Sequence, residues 1–522
     1  MSHPVTAHGA DGDGLDTMAF QAALDTCADE RGGTVTVPPG EYEVGALELH
    51  SHVTLHLEAG ATLYPSHDPA DYGLRTRNTD DVREEVFLLA DDVVNVAIVG
   101  QGTIDGRAAD LYDAEEVLTS HHGDRGGLVA EAPPDPRQSD FLDRDGDTSD
   151  WPLAKPGFRM LPVLAFVDAR NVRLRDVTLE DMPGHTILLR RCRDVVTSGL
   201  SIDNGMRTPN ADGIAINNSQ DVHISDCTIR GADDSITPSA SANGPPTRNV
   251  TVTNCTFQTH ACAVKIGSGT TGEIRDLVVS NCNIESSTRG VGIQHRDGGT
   301  VENIVFSNLT VETYLRDGPW WGKAEPVYIT SIPRRKETRA GSVRNVRVSN
   351  VVSDAEGPVF VYASHGGTVE NVILDGLNLS VSGGKGSAAV GGNFDLQPTG
   401  VRAPIYEHDV PAVYCRGIRN LSVSDVTVSW GTDRPEYLSH AIECTECTDV
   451  CLDGVVGGPA HDGEPAISLA DIDGVIVRDS QARPGTGAFV AIDGGTLRRF
   501  DDNDCADALR PLARDSGPEV TD

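Results

Sequence analysis

The sequence predicts an all-β protein: a right-handed parallel β-helix solenoid with an N-terminal helical cap and long inter-coil loops. Three observations support this fold class. The chain of 522 residues has 55 glycines and 5% aromatic residues, a composition that suits short strands joined by tight turns. A short phrase recurs along the chain at a nearly constant interval. Each copy alternates apolar and polar residues with the period of a β-strand.

The repeated phrase begins with Asn or Asp, continues with an apolar residue and then alternates. Its most regular copies start at residues 171, 194, 221, 249, 276 and 303, so that successive starts are 23, 27, 28, 27 and 27 residues apart. One such unit cannot bury its apolar face alone. Stacked units can, because each strand pairs with the equivalent strand of the next coil at about 4.8 Å. The repeat therefore predicts one long solenoid filled by stacked side chains.

The open end of a solenoid has to be covered. Near the N-terminus, Phe20, Ala23, Leu24 and Cys27 recur at the spacing of one helical face, which predicts a capping helix. An acidic stretch rich in Pro and Gly interrupts the repeat and predicts an insertion loop. The predicted organisation is a cap with the first strands (1–45), a single β-helix domain (46–510) that contains the insertion loop (106–160), and a C-terminal tail (511–522).

The charge balance excludes some partners. The chain has 78 acidic and 42 basic residues, a net charge of −36, and only five lysines. This evenly acidic, lysine-poor composition resembles that of proteins from salt-loving archaea, which must stay hydrated in concentrated salt. No basic stripe is present, so nucleic acid is not an expected partner. No apolar run is long enough to span a membrane, and the start shows no export signal. We therefore expect a cytoplasmic protein; the sequence does not predict its oligomeric state.

Two patterns raise the question of a metal. Asp143, Asp145 and Asp147 match the first half of a calcium loop, but the later glycine and glutamate are missing. Cys444, Cys447 and Cys451 could supply soft zinc ligands without an evident fourth ligand, and strand alternation already explains their spacing. Eleven cysteines without an export signal also favour thiols over disulfides. The sequence predicts no metal and no cofactor.

Adjacent carboxylates occur in "GADDSITP", residues 231–238, where Asp233 and Asp234 precede a short strand. Asp212, in "TPNADGIAI", lies 21 residues before Asp233, close to one turn of the solenoid. Alone, either motif is explained by a solvated turn. One coil apart, they should be lateral neighbours on one outer face. Strand alternation in the next two coils turns Lys265 and Gln294 toward the same face.

Three carboxylates on one outer face suit hydrolysis of a glycosidic bond. One stays protonated to deliver a proton to the leaving oxygen, while the others orient and deprotonate a water. Repulsion between the carboxylates gives them different pKa values, because a nearby negative charge raises the pKa of a carboxyl group. A separation of about 6.5–9.5 Å between acid and base would give inversion.

At these residues the chain resembles the polygalacturonases, glycoside hydrolase family 28, whose pattern is Asn-Thr-Asp, Gly-Asp-Asp, Gly-His-Gly and Arg-Ile-Lys. The resemblance runs from about residue 10 to about residue 350 and includes "NVAIVGQGTIDGR". It implies a pectin-degrading enzyme on a right-handed parallel β-helix. It also implies that Asp233 is the general acid, that Asp212 and Asp234 hold the water, and that Asn210 supports them.

The chain departs from that pattern in its third and fourth motifs. Cys262 stands where the family has histidine, and His260 lies two residues earlier. Gly292 and Gln294 replace the two cations that the resemblance implies for gripping a galacturonate carboxylate. Lys265, on the neighbouring coil, is either a replacement cation or a surface lysine. We expect His260, Lys265 and Gln294 to be substrate-binding residues.

A long inter-coil segment, "RDGPWWGKAEPVYI", carries Trp320 and Trp321 together with Lys323 and Glu325. Indole rings stack on the apolar faces of sugars, or they pin the loop to the solenoid. A similar segment occurs in bacterial and archaeal members of the family. His185 stands where relatives often carry tryptophan. We expect these five residues to contact the substrate.

The sequence therefore predicts a polygalacturonase-like glycosidase. Its expected partner is an oligosaccharide or polysaccharide: galacturonan or rhamnogalacturonan-type pectic fragments, cleaved by exo-acting, inverting single displacement. Two alternatives stay open. A polysaccharide lyase on the same fold needs a cation and a Lys, Arg or His base rather than three carboxylates. A non-catalytic glycan-binding β-helix needs no acid at all.

Overall fold

The computed structural model describes residues 2–74, 85–118 and 148–514. These ranges contain the α-helices α1 (Thr17–Asp29), α2 (Ala108–Leu111) and α3 (Ser387–Val390) and the 3-10 helices Val5–His8 and Pro69–Asp71. The calcium-like aspartates Asp143, Asp145 and Asp147, and much of the predicted insertion 106–160, lie outside the described residues.

Strands make up most of the described chain. The first 13 are β1 (Ser2–Pro4), β2 (Gly33–Val37), β3 (Gly40–Val44), β4 (Leu47–Glu48), β5 (Val53–Leu57), β6 (Ala61–Pro65), β7 (Leu88–Asp91), β8 (Val94–Gly100), β9 (Thr103–Asp105), β10 (Leu164–Val167), β11 (Arg170–Arg175), β12 (Thr178–Glu180) and β13 (Ile187–Arg190). The next 13 are β14 (Arg193–Ser198), β15 (Ser201–Asp203), β16 (Ile214–Asn217), β17 (Gln220–Ser225), β18 (Thr228–Gly231), β19 (Ile236–Ser239), β20 (Thr247–Thr253), β21 (Thr256–Thr259), β22 (Cys262–Ser268), β23 (Glu273–Ser287), β24 (Arg289–His295), β25 (Thr300–Thr313) and β26 (Glu325–Ser331). The last 14 are β27 (Ser342–Ala355), β28 (Val359–Ala363), β29 (Thr368–Val381), β30 (Asn393–Asp395), β31 (Ile405–Glu407), β32 (Val413–Arg416), β33 (Ile418–Trp430), β34 (Ile442–Thr445), β35 (Thr448–Asp453), β36 (Val456–Gly457), β37 (Ile467–Arg478), β38 (Gln481–Ala482), β39 (Thr486–Asp501) and β40 (Ala508–Arg514).

The described residues divide into two compact units. The first comprises 2–74, 85–118, 148–265 and 272–277, and the second comprises 266–271 and 278–514. In the first unit, parallel strands stack in three rows. The rows are β4-β7-β10-β13-β16-β19, β2-β5-β8-β11-β14-β17-β20 and β3-β6-β9-β12-β15-β18-β21. One strand from each row makes a coil, so the predicted parallel β-helix fold is confirmed; the predicted domain boundaries stay predictions.

The repeated Asn or Asp marks the turn into the second strand of each coil. Asn171, Asp194, Asp221 and Asn249 all have a left-handed backbone, with φ between 54° and 59°. Asn and Asp tolerate this conformation better than other residues with a side chain. Their amides also bond from coil to coil, as when Asn249 Nδ2 donates to Asp221 Oδ1 at 2.8 Å. Local turn chemistry thus explains why the motif recurs at each coil.

Helix α1 covers the N-terminal end of the solenoid as predicted. Its inward face consists of Phe20, Ala23, Leu24 and Cys27, all fully buried. The ring of Phe20 packs edge-on against Tyr42 of β3, with centroids 5.5 Å apart. Apolar burial therefore holds the cap on the coils.

The second unit has the same kind of architecture, with longer strands. Two of its rows are β24-β26-β28-β32-β34 and β25-β27-β29-β33. The aromatic side chains that point outward from the first of these rows pack against an antiparallel hairpin formed by β30 and β31. Phe394 of this hairpin lies 4.9 Å from Phe360 and 4.7 Å from Tyr414, measured between ring centroids. The hairpin thereby buries the outer face of these strands.

All eleven cysteines lie in the described ranges, and none of them forms a disulfide there. Cys444 is fully buried, and Cys447 is 1% exposed. Across the residues that the structure describes, none of the helices has both the length and the apolar character needed to cross a bilayer.

Candidate active site

The aspartates stand where strands of the first row begin. β16 pairs with β19 in parallel, with Ile214 opposite Ile236. Gly213 N donates to the carbonyl oxygen of Asp234 at 3.0 Å. Asp212 and Asp234, each two residues before the paired isoleucines, are therefore lateral neighbours. The 21-residue spacing aligned Asp212 with Asp233, and the observed register differs by one position.

The structure brings the three predicted carboxylates together. One carboxylate oxygen each from Asp212, Asp233 and Asp234 lies within 4.8 Å of the others. Asp212 is 8% exposed and Asp234 is 2% exposed, while Asp233 is half-buried. We call these three residues the aspartate cluster. Its oxygens lie closer than the acid–base separation of about 6.5–9.5 Å found in inverting enzymes, so this distance does not support the predicted inversion.

Asp233 is held by backbone and side-chain N–H groups. Its Oδ2 accepts from Asn210 N at 3.1 Å and from Asn210 Nδ2 at 3.5 Å, and its Oδ1 accepts from Asp234 N at 2.9 Å. The turn at Asn210 has a φ of 58°, which aims its backbone N–H and its side chain at the same oxygen. Asn210 therefore lies where the sequence placed a supporting residue.

Asp234 is the most buried carboxylate of the cluster. Its Oδ1 accepts from Cys262 N at 3.2 Å, and its Oδ2 forms an ion pair with Lys265 Nζ. The pKa of Asp234 is raised to about 7, because burial and the charges of Asp233 and Asp212 together outweigh the opposing charge of Lys265. Although burial alone would lower it, the pKa of Lys265 is raised because three carboxylates surround the ammonium group. Lys265 thus stays charged while the cluster retains a proton near neutral pH.

His185 lies on the neighbouring coil, at the position equivalent to Asp212. Its Nε2 is 3.4 Å from Asp212 Oδ1. Burial lowers the pKa of His185 to about 4, helped by the positive charges of Arg159 and Lys265 and opposed by Asp233. The ring is neutral at pH 7 and can hydrogen-bond to a sugar hydroxyl or to water.

Arg159 is a neighbour of the site that sequence reasoning missed. Its Nη2 donates to Asn210 Oδ1 at 3.0 Å, and its Nη1 donates to the carbonyl oxygen of Pro209 at 2.8 Å. It lies at the end of the predicted insertion, where the repeat gives no register. The signal that could have identified Arg159 from the sequence is that it is a basic residue within a mostly acidic insertion.

Another predicted residue of the first unit is His260, which is buried. It follows Thr259, whose hydroxyl donates to the carbonyl oxygen of Asp233 at 2.6 Å. His260 thus adjoins the segment that fixes Asp233. Its contact with substrate stays a prediction.

Five predicted substrate-binding residues belong to the second unit, where most are deeply buried. Gln294 is 1% exposed, and its Nε2 donates to the carbonyl oxygen of Gln397, in the loop between β30 and β31. Lys323 Nζ donates to the carbonyl oxygen of Val390 at 3.1 Å. Glu325 pairs with Arg289 at 3.0 Å. The others are Trp320, which is 6% exposed, and Trp321, which is half-buried. Their roles in substrate binding stay predictions.

Residues 148–394 match the family Glycosyl hydrolases family 28. The chain is 29% identical over 301 residues to an exo-poly-alpha-D-galacturonosidase of Dickeya chrysanthemi, covering 52% of this chain and 48% of the relative. It is 24% identical over 285 residues to a probable polygalacturonase of Vitis vinifera, covering 51% of each. The chain spans about half the length of these curated relatives.

Among solved structures, a family 28 exopolygalacturonase of Yersinia enterocolitica has a TM-score of 0.63 at 21% identity, covering 87% of this chain and 78% of that one. This likeness shows the fold and agrees with the predicted right-handed parallel β-helix. The family match and the polygalacturonase relatives agree with the sequence-based prediction of a glycosidase.

Proposed function

We propose that the protein is a glycoside hydrolase that cleaves pectic oligosaccharides. The observation that carries this proposal is the aspartate cluster, three carboxylate oxygens within 4.8 Å with Lys265 paired to one of them. Three carboxylates packed this closely and partly buried cannot all ionise cheaply, so one proton is kept at neutral pH. A retained proton beside ionised carboxylates is what general acid catalysis of glycoside cleavage requires.

Each aspartate has a proposed role. Asp233 is the least buried of the three, and it delivers the proton to the leaving oxygen. Asp212 and Asp234 hold and deprotonate the attacking water. Lys265 balances the charge of Asp234, and Asn210 fixes the direction of Asp233. We propose single-displacement, inverting hydrolysis; this outcome rests on the family resemblance.

The substrate class rests on the relatives. One is named an exo-poly-alpha-D-galacturonosidase and another a probable polygalacturonase. We propose exo-acting cleavage of galacturonan or rhamnogalacturonan-type oligosaccharides. The net charge of −36 and the five lysines support activity in concentrated salt, where the Debye length falls to about 3 Å at 1 M and an anionic substrate is no longer repelled at range.

The test is to incubate the protein in concentrated salt with defined pectic oligosaccharides and to identify the products by mass. Hydrolysis adds one water per cleaved bond. Ultraviolet-absorbing unsaturated products would show a lyase instead. Absence of any product, with oligosaccharide binding that Asp233→Asn leaves unchanged, would show a non-catalytic glycan-binding protein.

A further inference from the structure

Arg159 is a half-buried cation beside the aspartate cluster. Besides Pro209 and Asn210, its Nη1 contacts the hydroxyl of Tyr112 at 2.8 Å and the carbonyl oxygen of Pro183 at 3.4 Å. All four acceptors are neutral groups. In the described part of the chain, no carboxylate pairs with this guanidinium, although the protein has 78 acidic residues.

Its position ties it to the reacting groups. The Asn210 amide that accepts from Arg159 at 3.0 Å also donates to Asp233 Oδ2 at 3.5 Å, so one side chain separates Arg159 from the proposed acid. The positive charge of Arg159 also helps to lower the pKa of His185, which contacts Asp212. Arg159 therefore lies at the edge of the cluster, next to the coils that carry Asp212 and Asp233.

In the first unit, Lys265 and Arg159 are the cations next to the cluster, and they differ in whether a carboxylate balances their charge. Lys265 is paired with Asp234, so its charge is already balanced within the site. Within the described ranges, the guanidinium of Arg159 has only neutral acceptors. Burying a charge without a counter-ion costs free energy, and a planar guanidinium fits a carboxylate better than any other anion-binding side chain does.

We propose that Arg159 pairs with the carboxylate of a uronic acid unit held at the aspartate cluster, and that this contact makes the site selective for acidic over neutral sugars. The proposal rests on the hydrolase function above. The resemblance implies two cations for gripping the carboxylate, but Gly292 and Gln294 stand in their places and carry no charge. The proposal gives this role to Arg159, a residue of the first unit. Arg159 would be a specificity residue and not an acid or a base.

The test compares Arg159→Gln and Arg159→Lys with the unmodified protein on two probes, trigalacturonate and the same trisaccharide with its carboxyl groups reduced to alcohols. Arg207→Gln is the matched control. Arg207 is also half-buried, and among the described residues it bonds to backbone carbonyls only, that of Trp151 at 2.9 Å and that of Ala114 at 3.5 Å. Steady-state kinetics are measured in concentrated salt. Binding is measured by calorimetry in the Asp233→Asn background, where no turnover interferes.

We expect Arg159→Gln to raise KM for trigalacturonate by about tenfold to a hundredfold, the size of one charge-assisted hydrogen bond. KM for the reduced trisaccharide should not change, Arg159→Lys should recover part of the loss, and Arg207→Gln should behave like the unmodified protein. Equal losses in kcat on both probes would overturn the proposal, because Arg159 would then act only by orienting Asn210.

Calorimetry separates this inference from the proposed function. If neither probe is turned over, the hydrolase proposal fails. Tighter binding of the acidic probe, abolished by Arg159→Gln, would still support the role of Arg159. Equal binding of the two probes by the unmodified site would overturn it.

Discussion

The ammonium group of Lys265 forms an ion pair with the carboxylate of Asp234, inside a cluster of three aspartates. The pair is largely buried, with 16% of the lysine side chain and 3% of the aspartate side chain exposed. A cation at this point lets two carboxylates ionise while a third group keeps a proton. The pair thus links the packing of successive coils to the acid–base chemistry that the site needs.

The rate of hydrolysis should fall as the pH rises through about 7. The pKa of Asp234 is raised to about 7, chiefly by burial. In a group of interacting carboxylates such an apparent pKa belongs to the whole group rather than to one residue, so we expect the cluster to lose its last proton in this range. Below this pH the proton is present and the acid is available. A pH profile of kcat/KM for the best pectic substrate measures this fall, which is the alkaline limb of the profile. A rate that stays constant between pH 6 and pH 9 would contradict the assignment.

Lys265→Met should move that limb to higher pH by about one unit or more, because removal of a nearby cation favours the protonated carboxyl group. Fewer ionised carboxylates would remain to activate water, so kcat at neutral pH should also fall. Lys265→Arg keeps the charge and should restore much of the profile. The measurement is the pH dependence of kcat for the three proteins. An unshifted limb in Lys265→Met would mean that the ion pair does not tune the cluster.

Asn210→Gly should lower kcat by about tenfold with little loss of stability. Glycine keeps the left-handed turn, whose φ is 58°, but removes the amide that donates to Asp233. Asn249→Gly is the control, since Asn249 has a φ of 54° in the same unit and bonds to Asp221 away from the cluster. Kinetics and thermal unfolding check both variants. The idea fails if the two variants lose activity equally.

Glu325→Ala should destabilise the protein by about 3–5 kcal/mol, because it removes a partner of the buried Arg289. Glu302→Ala, which breaks a more exposed ion pair with Arg344, should cost less than about 1 kcal/mol. Chemical denaturation of the two variants measures the difference. If Glu325→Ala instead keeps full stability and raises KM, the sequence-based prediction that Glu325 contacts substrate would be favoured.

The sequence predicted the solenoid because its signals are local. A left-handed Asn or Asp and an alternating strand recur in each coil, so Asn171 and Asn249 mark the same turn without any knowledge of distant contacts. The same logic placed Asp212 near Asp233 and Asp234. The register was off by one because coil length varies from turn to turn, and only the strand pairing fixes which residues are opposite each other.

What escaped prediction depends on contacts between segments far apart in the chain. Arg159 reaches Asn210 across 51 residues from an insertion that has no repeat to align it. Alternation predicted that Gln294 points outward from its strand, but it could not predict that the loop between β30 and β31 supplies its hydrogen-bond acceptor, the carbonyl of Gln397. Periodicity gives the direction of a side chain and says nothing of what covers it.

The most direct test of the proposed chemistry follows trigalacturonate cleavage in isotopically labelled water, with the unmodified protein and with Asp233→Asn. We predict that the unmodified protein places one labelled oxygen in the product for each bond broken. Asp233→Asn should bind the substrate but cleave it about 10²–10⁴-fold more slowly, the usual contribution of a general acid. Unlabelled, unsaturated products, or an unchanged rate in Asp233→Asn, would contradict the account.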